Sequence, residues 1–239
     1  ANPQPKEFDN VNPLLTTLWD HGTYYNQLCP ADPGGPGGHV WAGCVATAMA
    51  QVMKYHNFPN QGTGSHSYNC PGYGIQSADF GATTYEWASM PNQVNASNLP
   101  VATLLYHLGV SVDMQYSASG SGAYSSDARD ALVNYFSFSP NAVLLPKSSF
   151  PIETFVYKLK NELNLSRPVY YSGSGSGGRW AVARASGTGR RILGQAREEC
   201  GPLGHPDAGG ELAPAADIPD PLVADRPQAL GSPDRLPQG

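Results

Sequence analysis

The residue of this chain best placed to do chemistry is a cysteine at the head of a long apolar run. Cys44 follows Gly43 and opens a segment in which Val45, Met49, Val52, Met53 and His56 recur at helical spacing, until Phe58-Pro59 ends it after about Asn57. A thiol attacks as its thiolate. The first turn of a helix favours that charge, because unpaired backbone N–H groups and the helix dipole point toward it. Gly43 allows close approach of a substrate, the helix behind Cys44 holds the sulfur rigidly, and the cysteine's own N–H can donate to a tetrahedral oxyanion. The chemistry read from these residues is acyl transfer through a thiol. The competing reading is a buried cysteine that packs as a small hydrophobe.

The remaining cysteines are Cys29, Cys70 and Cys200, and no C-x-x-C pair suggests zinc or a thioredoxin-like site, so no metal and no cofactor are expected. Cys29 and Cys70 lie in the loops Leu-Cys-Pro and Asn-Cys-Pro. In an oxidising compartment they either pair and leave Cys44 free or remain two loop thiols. Among the histidines, His56 stands twelve residues beyond Cys44, about 18 Å along a helix axis, too far to exchange protons with it. His39, His66 and His107 read as surface or packing residues, and His205 falls in a Pro/Gly-rich stretch.

Around Cys44 the chain reads as α+β. After an extended N-terminal arm, the Gly-rich run 32–38 is expected to be mobile. A second helix starts at Asn98-Leu99-Pro100, with Leu104, Leu105 and Leu108 inward and Gly109 at its C-terminal end. A third starts with Asp127 as N-cap and carries Ala131, Leu132, Tyr135 and Phe136; a fourth starts at Pro151 with Ile152, Phe155, Leu159 and Leu163. Strand-like runs are Val110 to Val112, Ala142 to Leu145 and Pro168 to Tyr171, the last entering the Gly/Ser loop 172–178.

A formal charge of -5 with only 14% charged residues, and no Lys/Arg cluster, argues against nucleic-acid or anionic-membrane partners. No stretch approaches the ~18 apolar residues of a membrane span, and the start lacks a signal-peptide pattern, so any export signal is expected to have been removed. The uncharged polar surface fits a secreted, extracellular protein. All 13 Tyr, all 7 Phe and every Lys and Asn precede Gly178. From Arg179 the chain is built mainly of Ala, Gly, Pro, Arg, Asp and Leu, a composition expected to be disordered. The chain therefore divides into 1–178 and 179–239. A natural tail would share the habits of its protein, and this one shares none, so a joined segment or a changed reading frame is the preferred account.

The run from Gly43 through Cys44-Val45-Ala46-Thr47-Ala48-Met49-Ala50-Gln51-Val52-Met53-Lys54-Tyr55-His56-Asn57-Phe58-Pro59 closely resembles the nucleophile segment of the streptopain-type cysteine peptidases, peptidase family C10. Tyr25-Asn26, the run Gly109 to Tyr116 with its following Ser/Gly loop, and Pro168 to Tyr171 running to Gly177-Gly178 fit the same family in order. The resemblance covers roughly residues 8–178. It implies a papain-like fold with a helical lobe around the nucleophile helix, secretion as a zymogen, and hydrolysis of protein or peptide substrates by a Cys-His pair with Cys44 as nucleophile. It also implies a histidine directly after the Gly-Gly, then an apolar strand and a Trp- and Gly-rich segment. Here Arg179 follows, no strand of that kind is legible, and the β lobe reads as incomplete; a guanidinium stays protonated and cannot shuttle protons. Position 21, where the family pattern places a Gln donor to the oxyanion, is His21, either a donor still or a neutral surface replacement.

On this reading the chain is a cysteine endopeptidase by family, impaired by loss of its histidine. The alternative is a non-catalytic module that binds peptides or a partner protein in a peptidase-like cleft. Gly173-x-Gly175-x-x-Gly178 also fits a dinucleotide fingerprint in form, which requires a helix to open at its end.

Overall fold

The computed structural model describes residues 13–175, 178–183 and 211–214. Its centre is helix α1, Cys44–His56, in which Cys44 to Ala50, Val52 and Met53 are all buried. Helix α2, Leu99–Ser111, and helix α3, Ser125–Phe136, pack against α1. Strands β4, Val169–Gly175, and β5, Gly178–Ala183, pack against it as well. Helix α4, Ile152–Asn164, builds a smaller second core in which Phe155, Leu159 and Leu163 meet Val169.

Two antiparallel sheets complete the described fold. Strands β1, Ser65–Cys70, and β2, Gly74–Asp79, form a hairpin beside α2. The other sheet runs β3-β6-β4-β5, with β3 at Leu145–Pro146 and β6 at Glu211–Pro214. This is the α+β class, with all four helices at the expected places.

The helix boundaries follow local chemistry. Asn98 caps α2, its side chain accepting from the Val101 N–H at 3.0 Å, and Pro100 sits in the first turn. Asn57 closes α1 in the left-handed region at φ 48°, where its N–H reaches the carbonyls of Met53 and Lys54. Asp127, expected as an N-cap, lies inside the first turn of α3, where its negative charge suits the helix dipole; Tyr124 holds the cap position. Gly109 does not end α2. The helix continues to Ser111 and takes in Val110 and Ser111, expected in a strand; at Gly109, where there is no Cβ, the Tyr116 hydroxyl packs directly on the helix backbone.

Three further expectations change. Of the run 142–145 only Leu145 is in a strand. The Gly-rich run 32–38 is held in place: Asp32 accepts from the Gly34 N–H at 2.8 Å and from the Tyr73 hydroxyl at 2.7 Å. Asn26 Nδ2 lies within 3.3 Å of the carbonyls of Pro36, His39 and Val40. A strand does follow Gly178, since β5 pairs with β4 from Gly175–Gly178 to Tyr170–Ala183 and so crosses the compositional break. Backbone pairing requires no particular side-chain pattern, which is why Trp180-Ala181-Val182-Ala183 gave no signal. The N-terminal arm up to residue 12, His205 and the rest of 179–239 outside β5 and β6 lie outside the described residues.

Two imidazoles are taken away from solvent and shifted by it, His107 buried and His56 partly buried. His56, at the C-terminal end of α1, has no hydrogen-bond partner for Nε2 among the described residues, and His107 Nδ1 sits 3.1 Å from the Tyr85 hydroxyl. Burial depresses both from 6.5 to about 4. Between those values the unfolded chain binds more protons than the fold. The contribution is therefore complete above pH 6.5 and is lost as pH falls toward 4, by up to ~1.4 kcal/mol per pH unit for each imidazole. Urea titrations followed by tryptophan fluorescence should show a stability that declines across this window, with a shallower decline in His107→Gln. A pH-independent midpoint there would contradict the burial assigned to both rings. Removing the cap of α2 by Asn98→Ala should cost about 1 kcal/mol in the same measurement.

Candidate active site

Cys44 is the first residue of α1, and the backbone in front of it has a conformation that only glycine adopts readily. Gly43, the N-cap, stands at φ 93° and ψ 141°. Its carbonyl receives both the backbone N–H and the hydroxyl of Thr47, each at 3.1 Å, which starts the helix. Cys44 itself is 9% exposed. It is disulfide-bonded.

Of the two readings of Cys29 and Cys70, the pair does not form and the two unpaired thiols are found. Cys29 and Cys70 are both free thiols, buried in the core, and each sulfur faces its own polar neighbour. Cys29 Sγ lies 3.9 Å from the Tyr116 hydroxyl, and Cys70 Sγ lies 3.7 Å from the Met114 carbonyl. Burial pushes the Cys29 thiol up to about 12, which removes it as a nucleophile. Cys44 is therefore paired where the sequence reading left it free, and Cys29 and Cys70 are the unpaired ones.

Position 21 is brought to the start of α1 through the backbone. The Ala42 N–H donates to the His21 carbonyl at 2.9 Å, two residues before Cys44. The His21 ring is buried and lies 4.6 Å from the ring of Trp41, with Nε2 3.9 Å from Asp20 Oδ1. A surface replacement would not be enclosed in this way, so that reading of His21 falls. The sequence signal was present, in the family position that the residue occupies, but its type gave no reason to place it inside.

Trp41 joins the site to the Ser/Gly loop. Its N–H reaches the Ser117 carbonyl at 3.4 Å and its indole Nε1 reaches the Ala118 carbonyl at 3.0 Å. Trp41 carried no sequence signal of its own. The other histidines are accounted for elsewhere: His39 Nδ1 is 2.8 Å from the Cys29 carbonyl, and His66 Nε2 is 2.7 Å from Asp113 Oδ1. Arg179 lies in β5, opposite Ser174 of β4, in the strand that packs along α1.

The Gly173, Gly175 and Gly178 pattern opens no helix. Gly175 and Gly178 face each other across an antiparallel hairpin, so the phosphate cradle of a dinucleotide site is not formed. Among the described residues no group of His, Cys, Asp and Glu is arranged to hold a metal ion, and no helix is long and apolar enough to cross a membrane.

Comparison with known proteins agrees with this geometry. The model of the peptidase C10 family matches residues 19–184. Streptopain of Streptococcus pyogenes is 32% identical over 206 residues, covering 75% of this chain and 52% of streptopain. The thiol protease/hemagglutinin PrtT of Porphyromonas gingivalis is 33% identical over 181 residues, 69% of this chain and 20% of that protein. Active interpain A cysteine protease of Prevotella intermedia superposes with a TM-score of 0.64 at 35% identity, covering 77% of this chain and 78% of that one. A prointerpain A fragment from the same organism gives 0.64 at 34% identity, over 76% and 60% of the two chains. The chain spans about half the length of the streptopain it matches. With its helical lobe around α1, its open antiparallel sheet and this match over 19–184, the chain has the papain-like α+β fold and belongs to the peptidase C10 family of streptopain-type cysteine peptidases.

Proposed function

We propose that this chain is a secreted cysteine endopeptidase in design, acting on proteins or peptides through Cys44, and that its turnover is severely impaired. The observation that carries the reading is the place of Cys44 at the glycine-capped N-terminus of the buried α1, with β5, the strand in whose sequence Arg179 falls, packed along the same helix. In the reduced protein the Cys44 thiolate would attack the scissile carbonyl carbon, forming a C–S bond and a tetrahedral oxyanion. Collapse of that species breaks the C–N bond only if the departing amine receives a proton. A protonated imidazole can supply one. Arg179, standing directly after Gly178 where the family pattern has its histidine, holds its own proton throughout the neutral range. On this reading residues 1–178 carry the family's peptidase sequence, and 179–239 are foreign to it or read in another frame, which the coding DNA after Gly178 tests directly.

Reaction of Cys44 requires its disulfide to be reduced first. After reduction, an epoxide inhibitor of thiol peptidases such as E-64 should label the protein at Cys44, and Cys44→Ala should abolish the label. Casein hydrolysis by the same preparation should stay at the level of Cys44→Ala. Robust casein cleavage that Cys44→Ala removes would refute the impairment. In the same folded, reduced protein, iodoacetamide at about pH 8 should modify Cys44 and spare Cys29, whose burial keeps it protonated. Peptide mapping by mass spectrometry reads both outcomes.

A further inference from the structure

The inference rests on the reading of Cys44 as nucleophile and concerns what holds it. The turn that carries the sulfur leans on the loop after α2. A Cβ placed on Gly43 would lie 2.7 Å from both Sδ and Cε of Met114 and 3.3 Å from the Ser121 carbonyl, so the methionine thioether is in direct contact with the N-cap. Met114 is fully buried. Trp41, three residues before Cys44, is tied to the same loop through Ser117 and Ala118.

That loop is itself anchored from outside. Asp113 turns the chain at φ 48°, and Met114 N–H returns to the Gly109 carbonyl at 3.0 Å. The Met114 carbonyl accepts a 2.6 Å hydrogen bond from the Tyr68 hydroxyl and faces Cys70 Sγ at 3.7 Å. One residue earlier, Asp113 meets His66. His66, Tyr68 and Cys70 alternate along β1, so one face of a single strand grips two successive residues of the loop. Burial raises the Tyr68 phenol well above its usual range, and its hydroxyl remains a donor at every pH at which the protein would work.

We infer that Met114, pinned through its carbonyl by the Tyr68 hydroxyl, is a positioning residue for the Cys44 thiol. Its thioether is the floor on which Gly43 rests, and β1 is the brace beneath that floor. Loosening either lets Gly43 leave its positive-φ conformation and turns the first-turn N–H groups of α1 away from the sulfur. The thiolate then loses the donors that stabilise it.

The test is the rate at which iodoacetamide modifies Cys44 in the reduced full chain, read by mass spectrometry of its peptide from about pH 5 to about pH 9. Met114→Ala and Tyr68→Phe should slow the reaction near neutral pH by about three- to tenfold and move the midpoint of its pH profile upward. Met114→Leu, which keeps most of the volume, should stay within about twofold of the parent. Parent rates and an unmoved midpoint in both Met114→Ala and Tyr68→Phe would overturn the proposal. Should Met114→Ala lose its near-ultraviolet circular dichroism and fail to fold, Tyr68→Phe decides alone, since it keeps the ring and loses one hydrogen bond. A parent Cys44 that reacts no faster than Cys29 at any pH overturns the nucleophile reading instead, and this proposal falls with it.

Discussion

The site depends on one backbone geometry, the positive φ of Gly43 at the head of α1. That angle lets the chain arrive from Trp41-Ala42 and turn into a helix within one residue, leaving Cys44 in the first turn. Any other residue there is strained twice, by the torsion and by the Met114 side chain that fills the space a Cβ would need. The hydrophobic burial of α1 on several sides fixes the rest of the helix, so the sulfur is set at the end of a rigid element whose start is itself constrained.

What surrounds this point is held largely by neutral hydrogen bonds. Asn26 reaches the carbonyls that shape the loop before Val40 and Trp41 clamps the Ser/Gly loop, while the one charge-assisted bond in this set runs from the Tyr73 hydroxyl to the Asp32 carboxylate. With 14% charged residues, the chain organises its loops by aiming amide, phenol and indole donors at backbone carbonyls. Such bonds are individually worth about 1 kcal/mol, yet each satisfies a partly buried carbonyl that would otherwise carry its full desolvation cost. That makes the Gly-rich run 32–38 a fixed part of the structure despite a composition that reads as mobile.

The helices were legible because each has an apolar stripe and an identifiable start. Val45, Met49 and Val52 define α1, Asn98-Leu99-Pro100 starts α2, and Phe155, Leu159 and Leu163 face the second core from α4. The β1-β2 hairpin was not legible. Ser65 to Cys70 and Gly74 to Asp79 are mostly polar, with no alternation of apolar side chains to announce a strand; the Pro71-Gly72 dipeptide at their turn was the available signal. Val110 to Val112 misled for the opposite reason, since β-branched residues at the end of a buried helix look like a strand. The place of Cys44 at the start of α1 was legible from the apolar run behind it. The enclosure of His21 and the parts played by Trp41, Tyr68 and Met114 were not, because they follow from contacts between segments far apart in sequence.

Fold and chemistry separate at the β4-β5 hairpin. Its pairing runs from Tyr170–Ala183 to Gly175–Gly178 through backbone hydrogen bonds, which are indifferent to whether position 179 is an arginine or a histidine. The strand thus docks along α1 under either residue, and the fold is retained at a position where, on the proposed reading, the proton shuttle has been exchanged for a fixed cation. The demands are unequal: the helix, the hairpin and the papain-like outline tolerate the exchange, whereas breakdown of a tetrahedral intermediate requires a group that can give up a proton near neutral pH. Membership of the family follows from the first set of demands, and turnover depends on the second.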